Sequence, residues 1–219
     1  MKVYFDKAFT KIAVLGSGTM GGQIAAHFAN LGFDTLMFDT SEEALSKSLA
    51  MMKKLKPTPF ASPSVSASIK TATYDNLDAL SSCDFIIESI VENLDIKKQL
   101  FKKISPHVND NAVLVTNTSG LSIQQIAETS PESLRSRIFG VHFFNPPRYM
   151  PLVELIRTSY SDESLLNKAE GFITSALGKE VVYAKDSPAF VANRIGVFSF
   201  MAVLKHAENF NLPADTVDA

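Results

Sequence analysis

Residues 11–39 read KIAVLGSGTMGGQIAAHFANLGFDTLMFD, and their order decides the fold. An apolar run of β type, Ile12, Ala13, Val14 and Leu15, breaks at Gly16-Ser17-Gly18-Thr19-Met20-Gly21. Apolar residues then recur at helical spacing through Ile24, Ala25, Phe28 and Leu31; Gly32 stops the helix, and a second apolar run closes on Asp39. Strand, glycine turn, helix, strand and acid in this order specify a βαβ unit built around a phosphate-binding turn. Gly16 permits the tight turn, Gly18 lets a pyrophosphate approach the backbone, and Gly21 lets the helix pack against the strand. The helix N-terminus adds unpaired N–H groups and a partial positive charge. Glycine-rich turns are common, so the context carries the reading. The acid stands eighteen residues after the third glycine, placed to accept hydrogen bonds from ribose hydroxyls and to repel a 2′-phosphate. The expected ligand is NAD in preference to NADP, held by Gly16, Gly18, Thr19, Met20, Gly21 and Asp39.

The totals bound what surrounds this unit. A length of 219 residues accommodates one α/β domain and part of a second, and 46% hydrophobic residues fit a globular core. A formal charge of −2 leaves no electrostatic footprint for nucleic acid. The single cysteine, Cys83, excludes an internal disulfide framework and favours a reducing compartment; before Asp84-Phe85-Ile86-Ile87 it reads as a packing residue. No stretch is apolar for long enough to span a bilayer, and polar residues interrupt the first ten positions where a signal peptide would lie. The expectation is a soluble cytoplasmic protein with no metal site.

Downstream, Ser41 caps a helix with Glu42 and Glu43 in its first turn and Lys53, Lys54 and Lys56 near its end, before Pro57 and Pro59. Residues 60–67 read as a surface loop or flexible lid. Strand-like runs follow at 69–74, 85–91, 112–115, 138–143, 152–156 and 181–183, with helical stretches at 94–104, 122–128 and 163–177. This alternation indicates a doubly wound, mainly parallel Rossmann-type sheet with its ligand at the carboxyl ends of the strands. Beyond Asp186 the strands cease. Ser187-Pro188 opens a long helix to about Asn209, apolar nearly all round, which needs partners on several sides. The chain divides accordingly into a dinucleotide domain, 1–186, and the start of an all-helical unit, 187–219, with the character of a fragment.

Polar residues just past strand ends are site candidates in such a sheet. Glu92 follows 85–91; Asn117 and Ser119 follow 112–115; His142 lies in the run 138–143; Glu154 stands twelve residues further on. A histidine beside a carboxylate serves as a general base near neutral pH. By spacing alone, a lone histidine in an apolar run is more often a core residue. Glu154 by the same measure suits the solvent face of an edge strand, and Asn193 an ordinary helix surface.

The specific strings go further. GSGTMGGQIA, ESIVENLDIKKQLF, NTSGLSI, HFFNPP, LVELI and KDSPAFVANRIG resemble, in order, the blocks of the L-3-hydroxyacyl-CoA dehydrogenase family. KKLKPTPF and HFFNPPRYM further resemble a bacterial subgroup of long fatty-acid β-oxidation proteins, in which an enoyl-CoA hydratase-like part follows the dehydrogenase part. The resemblance implies that His142 is the base that takes the proton from the substrate's 3-hydroxyl as hydride leaves C3, and that Glu154 orients it. It implies that Ser119 and Asn193 hold the substrate oxygen, and that Glu92 and Lys97 contact NAD on its nicotinamide ribose side; Asn117 is a further expected cofactor-binding residue. The implied partner is an acyl-CoA, with any homo-oligomeric contact in the rest of the C-terminal domain. Gly120 departs from the serine, alanine or threonine common there, a change expected to matter little beside Ser119.

Two other readings compete. A β-hydroxyacid dehydrogenase of the 6-phosphogluconate type shares the fold but uses a lysine-based site and lacks the HFFNP block. A non-enzymatic relative, of the kind found among lens crystallins, has no need of both His142 and Glu154.

Overall fold

A computed structural model describes residues 8–217; the reading of the first positions as free of a targeting signal falls largely on residues 1–7, and the second unit ends at 218–219, outside the described residues. The chain begins with β1 (Lys11–Leu15), α1 (Thr19–Asn30), β2 (Asp34–Asp39), α2 (Glu42–Met52) and β3 (Lys70–Thr73). It continues through β4 (Phe85–Glu88), α3 (Leu94–Ile104), β5 (Val113–Thr116), α4 (Ile123–Thr129) and the single-turn α5 (Glu132–Arg135). Then come β6 (Ile138–Phe143), β7 (Leu152–Ile156), α6 (Glu163–Ser175), β8 (Glu180–Ala184), α7 (Ala192–Asn209) and the short α8 (Ala214–Val217).

The eight strands form one sheet in the order β3-β2-β1-β4-β5-β6-β7-β8. Pairing is parallel from β3 to β6; β7 runs antiparallel to β6, and β8 parallel to β7. Strand order reverses between β1 and β4, which opens a crevice at their carboxyl ends.

Alternation within β1 shows why the sheet is covered on both faces. Ile12 and Val14 enter one core with Ile24 and Phe28 of α1 and Phe172 of α6. Ala13 and Leu15 enter the other with Leu100 and Phe101 of α3 and Ile126 of α4. A strand apolar on both faces is stable only between two helical layers. The first core is fixed by aromatic contacts: Phe172 lies 5.0 Å from Phe9, 5.4 Å from Phe85 and 6.2 Å from Phe28 between ring centroids. Each buried ring contributes roughly 1.5–3 kcal/mol by removal of apolar surface from water.

Several local expectations change. The run 85–91 is not one strand: β4 ends at Glu88, and residues 89–92 leave the sheet to form a wall of the crevice. The segment 60–67, read as a surface loop or flexible lid, lies largely at the surface but contains part of a 3-10 helix, Pro63–Ser68, and its first residue, Phe60, is buried. Ser41 does cap α2, but the helix stops at Met52, so Lys53, Lys54 and Lys56 lie beyond its last turn. The long helix begins at Ala192, four residues after Pro188, because Ala189 and Phe190 take left-handed φ values of 62° and 46°. No residue of α7 is buried; Phe198 is 74% and Phe200 64% exposed. Among the described residues, no helix is long and apolar enough to cross a membrane.

Candidate active site

The glycine turn enters α1 with its N-terminus uncapped by any side chain. By contrast Ser41, Asn93, Ser122 and Asp162 cap α2, α3, α4 and α6, and the first amides of α7 are taken by Glu154. The open N–H groups of α1 face a cleft of about 670 Å³, which Gly16, Gly18, Thr19 and Met20 line. Gly16 has φ +102°, and a Cβ there would stand 2.5 Å from the Ser89 carbonyl oxygen. A Cβ on Gly21 would collide with the Gly16 carbonyl. Gly21 therefore serves the closeness of turn and helix rather than touching the cleft. Gly18 differs: a Cβ there would meet nothing within 4 Å. Its missing side chain leaves room on the open side, where a pyrophosphate would approach an uncapped helix terminus.

Asp39 closes β2 on the cleft wall. Burial opposes its charge, but hydrogen bonds from Ser17 Oγ (2.5 Å), Ser17 N (2.7 Å) and Thr40 N (2.7 Å) outweigh it and hold the carboxyl below the usual carboxylate range. The result is a fixed negative charge beside the turn. Tyr74 and Lys103 line the same cleft, with Lys103 Nζ 5.9 Å from the Tyr74 ring centre; nothing in the spacing singled them out.

On the opposite side the cleft is walled by Glu92, Lys97, Asn117 and Ser119, each expected at the site. Lys97 is almost wholly buried, with Nζ 2.6 Å from Glu88 Oε1 and 3.4 Å from Glu92 Oε2. Glu92 Oε1 accepts hydrogen bonds from Ser119 N (2.7 Å) and Thr118 Oγ1 (2.6 Å). Asn117 Oδ1 accepts from Phe143 N at 2.8 Å and so anchors the residue after His142. Glu88 is the site-proximal acid that sequence reasoning missed, because it stood inside an apolar run read as one strand. The available signal was a carboxylate within that run and a lysine nine residues on.

His142 and Glu154 face each other across the antiparallel pair β6–β7. His142 Nδ1 lies 2.7 Å from Glu154 Oε2, and both residues are buried. Glu154 is thus not on the face of an edge strand: β8 covers its far side. Its other oxygen, Oε1, accepts from Val191 N (2.9 Å) and Ala192 N (2.8 Å) at the start of α7. A carboxylate only accepts, so the imidazole proton resides on Nδ1 and Nε2 is left as the basic nitrogen. Phe144 and Phe190 stand 4.5 Å and 5.8 Å from the imidazole and shield it.

One residue beyond Ala192, Asn193 Nδ2 approaches the Ser119 carbonyl oxygen at 3.4 Å. The structure thereby joins the expected residues into one assembly: His142 to Glu154, Glu154 to the start of α7, Asn193 to Ser119, and Ser119 to Glu92. The Ser119 hydroxyl has no partner among the described residues. Gly120 is more constrained than expected, since a Cβ there would lie 2.8 Å from Ala189 N. The turn bearing Ser119 and the turn leading into α7 meet backbone to backbone.

Residues 11–187 match the family described as "3-hydroxyacyl-CoA dehydrogenase, NAD binding domain". The chain is 37% identical over 221 residues to a "Probable 3-hydroxyacyl-CoA dehydrogenase" of Bacillus subtilis, covering 91% of this chain but 28% of that protein. It is 31% identical over 220 residues to the mitochondrial hydroxyacyl-coenzyme A dehydrogenase of Homo sapiens, covering 94% of this chain and 69% of that one. Among solved structures, the 3-hydroxybutyryl-CoA dehydrogenase of Escherichia coli superposes with a TM-score of 0.81 at 28% identity, over 92% of this chain and 43% of that one.

Proposed function

Because the chain belongs to the 3-hydroxyacyl-CoA dehydrogenase family, with residues 11–187 as its NAD-binding domain, we propose that it supplies the cofactor site and the base for oxidising L-3-hydroxyacyl-CoA to 3-oxoacyl-CoA. The observation that carries this reading is the buried His142–Glu154 pair at 2.7 Å, tied through α7 to a serine on the wall of the cleft. A merely structural NAD-binding relative has no use for a buried imidazole held in one tautomer.

The residues fit the cofactor. Gly16, Gly18, Thr19 and Met20 would receive its pyrophosphate on the uncapped α1, Asp39 its adenosine ribose, and Glu92, Lys97 and Asn117 its nicotinamide end. NAD when bound supplies the acceptor for the hydride that leaves C3. The chain's own residues handle the proton and the oxygen. Ser119 Oγ and Asn193 Nδ2 hold the 3-hydroxyl, and His142 Nε2 takes its proton. Glu154 stabilises the imidazolium that results, which is general-base catalysis with an orienting carboxylate. In reverse, protonated His142 returns the proton to the oxygen.

The setting follows from the same reading: fatty-acid β-oxidation in the cytoplasm, with an acyl-CoA as partner. Residues 187–219 then open a second, helical unit, and the exposed Ile195, Phe198 and Phe200 are the side chains such a unit would cover, together with any homo-oligomeric contact. Cofactor choice is tested by calorimetric titration with NAD and NADP. The wild-type chain binds NAD more tightly. Asp39→Ala weakens NAD and narrows the preference; an unaltered ratio would remove Asp39 from the ribose site.

A further inference from the structure

Beneath the wall of the cleft lies a closed polar ring that the proton chemistry does not use. Lys97 Nζ bonds Glu88 Oε1 at 2.6 Å, and Glu88 Oε2 accepts from Thr116 Oγ1 at 2.5 Å. Thr116 Oγ1 accepts from Thr118 N at 3.2 Å, and Thr118 Oγ1 donates to Glu92 Oε1 at 2.6 Å. Glu92 Oε2 returns to Lys97 Nζ at 3.4 Å. Glu88, Lys97, Thr116 and Thr118 are all buried, while Glu92 is partly exposed at the cleft. Glu88 also accepts from Ile90 N at 2.7 Å, so the same carboxylate positions both the lysine and the 89–92 wall.

Two carboxylates enclose one ammonium, so the ring carries a net charge of −1. A buried pair alone is weak evidence of stabilisation, because desolvation offsets most of the attraction. The second carboxylate gives this one a directional effect: it leaves the wall negative. The nicotinamide ring is positively charged when oxidised and neutral when reduced. A fixed negative charge close to it acts on one redox form and not the other.

We propose that Glu88 is a positioning residue whose charge, added to that of Glu92 around the single Lys97 ammonium, raises the affinity of the cleft for the oxidised relative to the reduced dinucleotide. The inference rests on the reading of Glu92 and Lys97 as the nicotinamide end. Hydride removal from a 3-hydroxyacyl-CoA needs the oxidised form bound, which is the direction the ring assists.

The test measures Kd for NAD+ and for NADH separately, by calorimetry and by nucleotide fluorescence, in the wild-type chain, Glu88→Gln and Glu92→Gln. Both substitutions keep a hydrogen-bonding side chain and remove one negative charge. In each, the ratio of NAD+ to NADH affinity falls by roughly threefold to tenfold, the scale of one charge acting across a partly hydrated cleft. An equal loss for both nucleotides assigns Glu88 a packing role only and overturns the proposal. If Glu88→Gln does not fold, Glu92→Gln decides: an unchanged ratio there overturns it as well. Failure of the wild-type chain to bind either nucleotide instead removes the cofactor reading, and this inference with it.

Discussion

His27 on α1 holds its imidazole in surroundings that refuse a charge. Burial lowers its pKa from 6.5 to about 4, the Lys179 ammonium and the Arg148 guanidinium push the same way, and the backbone of Leu177 offsets them in part. Lys179 is itself buried, its Nζ held by the carbonyls of Pro147 (2.6 Å) and Met150 (2.8 Å) in the loop joining β6 to β7. The unfolded imidazole takes up a proton near 6.5 and the folded one near 4, so between these values the unfolded state binds more protons. The stabilising contribution is complete above 6.5 and is lost as the pH falls towards 4. About 2 kcal/mol of it disappears between pH 7 and pH 5. Urea unfolding at those two pH values measures the loss, and His27→Leu removes most of it. An equal pH dependence in the variant would show that the titrating group lies elsewhere.

At the scale of elements, the turns decide what the strands and helices present. The βαβ unit was legible because apolar periodicity, three glycines and an acid all occur within 29 residues. Ser122 as the cap of α4 was legible from local chemistry, and its side chain accepts from Gln125 N. The end of β4 was not. Ile90 and Val91 are apolar like the strand before them, yet they belong to the cleft wall, where Gly16 packs against the Ser89 carbonyl. Nor was the start of α7, because Pro188 resembles a helix opener while Ala189 and Phe190 adopt φ values that side chains disfavour. That departure brings Val191 N and Ala192 N onto Glu154 and Ala189 against Gly120, contacts between segments far apart in sequence. Gly120→Ala therefore forces these two turns apart and lowers stability by about 1–3 kcal/mol. Thermal unfolding measures it; an unshifted midpoint would mean that the turns separate without cost.

For the whole molecule, the sheet sets two groups of polar side chains at separate places along its width. The glycine turn, Asp39 and the wall bearing Glu92 and Lys97 line the crevice where strand order reverses between β1 and β4. The His142–Glu154 pair stands further along the sheet, where β7 reverses direction. That reversal is what sets an imidazole opposite a carboxylate, a long-range pairing that no local pattern discloses. The blocks around His142 and Glu154 singled out both residues by their likeness to a family; their burial and their hold on α7 come only from the three-dimensional arrangement. On the proposed function, this pair removes a proton beside a bound dinucleotide. The most direct measurement of that step is NADH formation from NAD and L-3-hydroxybutyryl-CoA by a protein that contains this chain, with and without His142→Gln, and with NAD affinity determined alongside. The variant loses about 100-fold or more in rate, with NAD affinity kept within about twofold. An unchanged rate would contradict it.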